Sequence, residues 1–387
     1  MAGTGSNFMS FHILACGSNG LYQLGLGNDK DHDSLQHVPG LEQMGHVQPR
    51  LMAFGGNHTF VLYPEGQLFA AGSNEFGQCG VNSPLVLKVF TRVPGQWKRV
   101  AAGWEFSVLW SHDNQLYSCG SGPKGELGLG EGCVLARSLQ KVPLPENSKV
   151  HDFKCSIGHT VVELKDGSYV GWGAARKGQL GPQPPVVAAS GKSKPRPAVW
   201  LPEHLQLEHS DSFCMGRDRT ITVGPGIKVH GAEAQEIGVQ THTVKAMWSS
   251  LHYLEDGRGA ENRDVGSESG GVRKQDSGRD GDTGLLEGNS GIPGVSIRSV
   301  GNDLHGQCFR YEAPCPIVAF EVGSEHGLVL LSDNSVHAWG WGEHGNCGAM
   351  KDDDVVFNYL NQIYDGKDQV VMMAGGLATT WLVVRRA

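Results

Sequence analysis

The stretch Val336-His-Ala-Trp-Gly-Trp-Gly-Glu-His-Gly-Asn-Cys-Gly348 joins a short β-rich run ending in glycine to a polar turn and a Gly-Asn-x-Gly loop. The same skeleton recurs throughout the chain, as in Ile13-Leu-Ala-Cys-Gly-Ser-Asn-Gly-Leu-Tyr-Gln-Leu-Gly25 and Leu68-Phe-Ala-Ala-Gly-Ser-Asn-Glu-Phe-Gly-Gln-Cys-Gly80. Leu116–Gly130, Tyr169–Gly181 and Ile297–Cys308 continue it. The strand-ending glycines are Gly17, Gly72, Gly120, Gly173, Gly231, Gly301 and Gly340, which gives seven repeats, counted here as units one to seven.

Seventeen residues before five of these marks lie Gly55, Gly103, Ser156, Cys214 and Gly323, each small and each expected to begin a turn. Six residues before them lie Gly66, Asn114, Gly167, Pro225 and Asn334, in hairpin-turn contexts such as Asp-Gly and Asp-Asn. The intervening runs, for example Thr59-Phe-Val-Leu-Tyr63 and Thr160-Val-Val-Glu-Leu164, are β-branched and aromatic. Each unit thus reads as strand, turn, strand, hairpin turn, strand, glycine-rich loop and a fourth strand. Four-stranded antiparallel units at this spacing predict an all-β, seven-bladed β-propeller. The chain begins with a third strand, Phe11–Cys16, and ends with first and second strands, Gln369–Ala374 and Thr379–Val384. Pairing the two ends in one shared blade would close the ring without an open strand edge.

The organisation expected is a flexible N-terminus at 1–10 and a propeller over 11–387, with a disordered insertion at 255–291 inside blade six. That insertion is dense in Gly, Asp, Glu, Ser and Arg and nearly devoid of large apolar residues. Blade five is degenerate, and a polar, proline-containing loop at Pro182–Pro197 follows blade four.

Composition narrows the function. The 387 residues carry 56 glycines without a Gly-X-Y period, and a net charge of -8 that does not favour a nucleic-acid backbone. No apolar run approaches the ~20 residues of a membrane helix, and Met1–Ser10 has no secretory character. The nine cysteines form no CxxC pair; small buried thiols of a reducing compartment are expected, without a metal site or cofactor. No P-loop, HExxH or nucleophile elbow is present, so no catalytic residue is assigned. Glycine-rich pieces resembling a dinucleotide loop lack the following helix that this fingerprint needs.

Strand direction places the turn after strand one and the loop after strand three on one face, here called top. It collects Trp104 and Glu105, Arg217, Trp248 and Ser249, Glu325 and His326, and the loop residues His305, Trp341, Glu343 and His344. Large rings beside charges in turns are a typical hot-spot composition. Trp104, Glu105, Trp248, Glu325, His326, Trp341, Glu343 and His344 are therefore the candidate partner-binding residues. Trp172 and Trp339 are expected to pack blades, and His58, His159 and His326 to brace loops, because each recurs three residues after a small turn residue.

The Gly-x-x-His turns and Gly-Gln-Leu-Gly loops resemble the regulator-of-chromosome-condensation repeat family, whose fold is a seven-bladed propeller. The founding member is a nucleotide exchange factor for the small GTPase Ran that binds nucleosomes through a basic tail. This sequence has no Lys or Arg in residues 1 to 10 and no long β-wedge insertion in the third or fourth blade. Ala15–Gly20, Gln23–Gly27, Met247–Ser250, Gly323–Gly327, Trp339–Gly348 and Ala378–Trp381 look like the fungal killer-toxin-insensitivity, or alpha-tubulin suppressor, group. That resemblance implies a non-catalytic, cytoplasmic and nuclear propeller. It would form a heterodimer with a small CSL-type zinc-finger protein of diphthamide synthesis, and indirectly support the Elongator complex in tRNA wobble-uridine modification. The alternatives are an exchange factor or regulator of a small GTPase and, less favoured, a ubiquitin-ligase adaptor. Neither direct nucleic-acid binding nor membrane association is expected.

Overall fold

The computed structural model describes residues 9–187, 193–239, 241–256, 295–351 and 354–386. Seven antiparallel sheets follow one another around a ring, one for each repeat. Blade one joins the chain ends: Ser10–Gly17 pairs on one side with Thr379–Arg386 and on the other with His32–His37, and Gln369–Gly375 forms the innermost strand. Eight successive partners, from Ser10↔Arg386 to Gly17↔Thr379, hold the termini together. Among the described residues no helix is long and apolar enough to cross a membrane.

The repeat glycines have a physical cause. All seven strand-ending marks adopt positive φ, between 96° at Gly340 and 129° at Gly301, where side-chained residues are strained. A Cβ there would also strike the carbonyl of the preceding turn, for instance Ala378 O at 2.3 Å from Gly17 and Glu325 O at 2.6 Å from Gly340. Glycine at the mark lets the third strand turn outward directly against the turn between the first two strands.

Blades are welded through the glycine-rich loops, whose glutamines and asparagines are structural. Gln78 Oε1 accepts the Phe76 N–H and Asn74 Oδ1 accepts the Cys79 N–H; Gln23 and Asn19 repeat this for Leu21 and Leu24. The loop so formed aims the Gln78 carbonyl at the next blade, where the Ser107 hydroxyl donates to it (2.7 Å). His58 Nε2 lies 2.8 Å from the same hydroxyl. Thr220 with His159 and Gln179, and Thr380 with His326 and Asn346, repeat the clasp at two further seams. Each hydroxyl spends its proton on a carbonyl, so each histidine must supply an Nε2–H. At two other seams an indole replaces the clasp: Trp172 Nε1 donates to Glu126 O (2.9 Å) and Trp339 Nε1 to Gln307 O (2.8 Å). Both tryptophans are fully buried, as their place before the marked glycine predicted.

Three departures from the sequence pattern have clear causes. In blade five the turn begins at Gly216, not Cys214, which lies inside the strand Ser212–Gly216; the unit is two residues shorter between turn and mark. Blade six shows three strands among the described residues. The path of its fourth carries Pro314 and Pro316, which cannot donate to a ladder, and packs Phe309 and Tyr311 on the core instead. The Pro182–Pro197 loop is not wholly irregular, because Val186–Val187 pairs with Ser193–Lys194 in a small ribbon. The expected insertion at 255–291 lies, apart from Glu255 and Asp256, outside the described residues.

Candidate functional site: the top face

Inner strands from all seven blades surround an axial cavity of about 230 Å³, with Lys154, Cys155, Cys214, Lys245, Glu321 and Met373 among its walls. Lys245 Nζ meets Glu321 at 2.7 Å, which satisfies two charges that would otherwise be costly to half-bury. The cavity opens toward the top face through a mouth lined by Phe54, Ile157, Met215, Trp248 and Leu377.

Turns from successive blades are stitched around that mouth. The Gly56 N–H donates to Trp104 O (2.9 Å), the Trp104 N–H to Ile157 O (3.2 Å), and the Trp248 N–H to Ser324 O (2.7 Å). This fixes two indoles from blades three and six opposite each other, their ring centroids 6.1 Å apart. Arg217 of blade five lies over the Trp248 ring, 5.4 Å from its centroid. Trp104 nevertheless stays 43% exposed. The pair roofs the mouth and presents an apolar surface outward at once.

From Trp248 a polar chain runs to the rim. Ser249 Oγ donates to Glu325 (2.8 Å), and Gln307 Nε2 donates to the same carboxylate oxygen (2.9 Å). The Trp341 N–H donates to Glu325 O (2.9 Å), so the next indole, half-buried, begins where this network ends. Trp341 packs against His305 with the rings tilted 57° and centroids 3.6 Å apart, and its Nε1 donates to Glu343 (3.1 Å). Beside it His344 Nδ1 lies 2.8 Å from Asp31, which ties the blade-seven loop to blade one.

Six of the eight candidate residues therefore fall in one band: Trp104, Trp248, Glu325, Trp341, Glu343 and His344. Glu105 is half-exposed on the same face, next to Trp104. His326 does not reach the face: it is fully buried against Thr380, and burial pushes its pKa down to about 4. The strand leaving the turn alternates direction, so Glu325 points up while His326 points into the seam. Asp31 and Gln307 join the band without a distinguishing sequence signal. Asp31 is one acid within Asp29–Asp33, and Gln307 occupies an ordinary repeat position.

Several titratable groups are shifted by burial within the ring. His58, His159 and His326 are held neutral in the seams, with burial taking their pKa values to about 3, 4 and 4. Burial pushes the Cys16, Cys119 and Cys155 thiols up to about 12, which removes thiolate character. Among the described residues no group of three or more His, Cys, Asp or Glu is placed to hold a metal ion.

Comparison with known proteins follows the same lines. A family model described as the regulator of chromosome condensation (RCC1) repeat matches residues 50–78 and 317–346. An RCC1 repeat-containing protein of Schizosaccharomyces pombe is 30% identical, over 96% of this chain and 98% of its own length. The secretion-regulating guanine nucleotide exchange factor of Bos taurus is 26% identical, over 89% of this chain and 77% of its own. Among solved structures, Prp20p of Saccharomyces cerevisiae, a protein with binding properties toward Gsp1p and histones, superposes with a TM-score of 0.73. That match covers 98% of this chain and 92% of Prp20p at 14% identity, a likeness of fold.

Proposed function

Because this chain belongs to the RCC1-repeat family, we propose that it acts by docking a protein partner on its top face and performs no covalent chemistry itself. The observation that carries this reading is the continuous band Trp104–Trp248–Ser249–Glu325–Trp341–Glu343. One exposed indole, Trp104, and two half-buried ones, Trp248 and Trp341, sit on turns fixed by backbone hydrogen bonds and are flanked by oriented carboxylates. Preorganised aromatic anchors lose little entropy on binding, and such residues carry most interface energy.

For the partner, regulation of a small GTPase, including nucleotide exchange, is the reading that the named relatives support best. Catalysis of release would need carboxylates that compete for the Mg²⁺ and lysine of a phosphate site, and Glu325, Glu343 and Asp31 supply them on one face. The ribbon pairing Val186–Val187 with Ser193–Lys194 lies within the top-face loop of blade four and is a candidate second contact element in this reading.

A second reading rests on the resemblance of Met247–Ser250, Gly323–Gly327 and Trp339–Gly348 to the killer-toxin-insensitivity group. The partner would then be a small CSL-type zinc-finger protein, in a heterodimer that supports diphthamide synthesis and, indirectly, Elongator-dependent tRNA modification. In this case the propeller shields or orients a metal held by its partner. Residence in cytoplasm and nucleus accompanies this reading.

Two assays separate the partners. Catalytic amounts of the chain are mixed with a panel of GTPases loaded with a fluorescent GDP analogue, and the purified zinc-finger protein is titrated by calorimetry. Accelerated release from one GTPase selects the first reading; stoichiometric zinc-finger binding without accelerated release selects the second. Failure of both would remove docking of either partner.

A further inference from the structure

The top face is unevenly charged, and its cations gather beside a gap in the loop ring. Blade five joins its third strand to its fourth through Ala232–Ala234 alone, where blade two uses residues 74–85. Among the described residues no tall loop of its own therefore stands over blade five. Around the gap stand Arg176 and Lys177 at the tip of the blade-four loop and Arg217 in the blade-five turn, all exposed. Lys177 and Arg217 are drawn together: Lys177 Nζ lies 2.7 Å from Asp218, and Arg217 Nε lies 3.9 Å from the same carboxylate, with Arg176 next to Lys177 in the chain. Lys177 and Arg217 thus share one carboxylate, and Glu233 in the short connection is taken up by Arg219, on a chain whose overall charge is -8. Arg176 has no ion pair among the described residues. The inner end of the gap is the Trp248 ring under Arg217, next to Trp104.

We infer that this gap is a docking groove for an extended acidic segment of a protein partner. The segment crosses the rim at blade five and ends with an apolar side chain on the Trp104–Trp248 roof. The inference deepens the docking function proposed above and rests on it for its inner end. Its chemistry follows from the groups present. Arg176 and Arg217 offer planar, forked donors that match carboxylates two at a time, and Lys177 adds a mobile point charge. The absent loop leaves room for a main chain to pass, and Trp248 supplies the apolar stop. Asp218 holds Lys177 and Arg217 in place, and its single charge leaves the three cations in excess. A nucleic-acid backbone would also meet these cations. Among the described residues it would find an exposed ring only at the inner end, and a carboxylate in the middle of the cluster.

The experiment uses the full chain and three labelled probes of equal length, about twelve residues or nucleotides. They are an Asp/Glu-rich peptide with one leucine, its Lys/Arg counterpart, and a single-stranded oligonucleotide. Fluorescence anisotropy should show binding of the acidic peptide only, weakening by about tenfold as salt rises from about 50 to 300 mM. R176E/K177E should lower its affinity by about tenfold or more, and replacing leucine by glycine should weaken binding to wild type but not to Trp248→Ala. Acidic-peptide binding that is absent, or unaffected by R176E/K177E, overturns the proposal, as does preference for the oligonucleotide. The same double variant is also tested against whichever purified partner binds. If Trp104→Ala abolishes partner binding while R176E/K177E leaves it intact, the groove falls and the docking face stands. The reverse result removes the roof and keeps the groove.

Discussion

Trp339 and Trp341 are two residues apart on one strand, and they have opposite fates. Trp339 is fully buried between blades six and seven, its indole N–H given to Gln307 O and its ring filling the space over Gly327. Trp341 lies at the strand end beyond Gly340, with its indole N–H on an exposed glutamate and its ring on His305. The separator is the glycine between them, whose positive φ turns the chain out of the seam. The same division holds for Trp172 against Trp104 and Trp248. One set of tryptophans builds the ring; the other is displayed by it.

The comparison can be broken most forcefully at the seam. Trp339→Ala, or Trp172→Ala, empties a fully buried site and orphans a loop carbonyl, and should cost about 3–5 kcal/mol of folding stability. Urea unfolding checks this. A seam tryptophan whose loss is tolerated at the level of a surface change would erase the distinction.

Acid tests the seams from another side. His58, His159, His252 and His326 have folded pKa values lowered by burial to about 3, 4, 3 and 4. The unfolded chain, with ordinary values near 6.5, therefore takes up protons first as pH falls. Stability is complete above about pH 6.5 and is lost progressively toward pH 4, by roughly 1 kcal/mol per histidine per pH unit. Denaturant midpoints at pH 7.5 and 5.5 should differ accordingly; equal midpoints would place the histidines elsewhere.

On the display side the effects on folding should be small. Trp341→Ala should change stability by less than about 1 kcal/mol, since its ring touches only half-exposed neighbours. Smaller still is Asp31→Asn, which keeps an amide oxygen for the Asn19 N–H and weakens only a half-exposed contact to His344, worth at most about 1 kcal/mol. Thermal unfolding of both variants beside Trp339→Ala would set the three magnitudes on one scale.

Much of this was legible in the residues. The marked glycines, the hairpin turns and the two half-blades at the chain ends are local signals, and a seven-bladed ring closed by a shared blade follows from them. The bracing histidines were legible as recurrences, although their hydroxyl partners lie some fifty to sixty residues away on the next blade. What escaped was whatever depends on the ring's global geometry. Trp104 and Trp248 meet because blades three and six face each other across the axis, and no spacing in the chain encodes that. His326 shares a turn with Glu325 but points the other way, so grouping by turn placed it on the face. Blade five hides its turn at Gly216 because two residues are missing from the period, and blade six loses a strand to two prolines that the repeat pattern alone does not weigh.

The central claim is that the displayed tryptophans form the docking surface, and affinity measures it most directly. Titration of the partner selected by the release and calorimetry assays should be run on wild type, Trp104→Ala and Trp248→Ala, with folding confirmed by unchanged denaturant midpoints. The account predicts a loss of about 2 kcal/mol, near thirtyfold in Kd, for each variant. Folded variants that bind as tightly as wild type would contradict it.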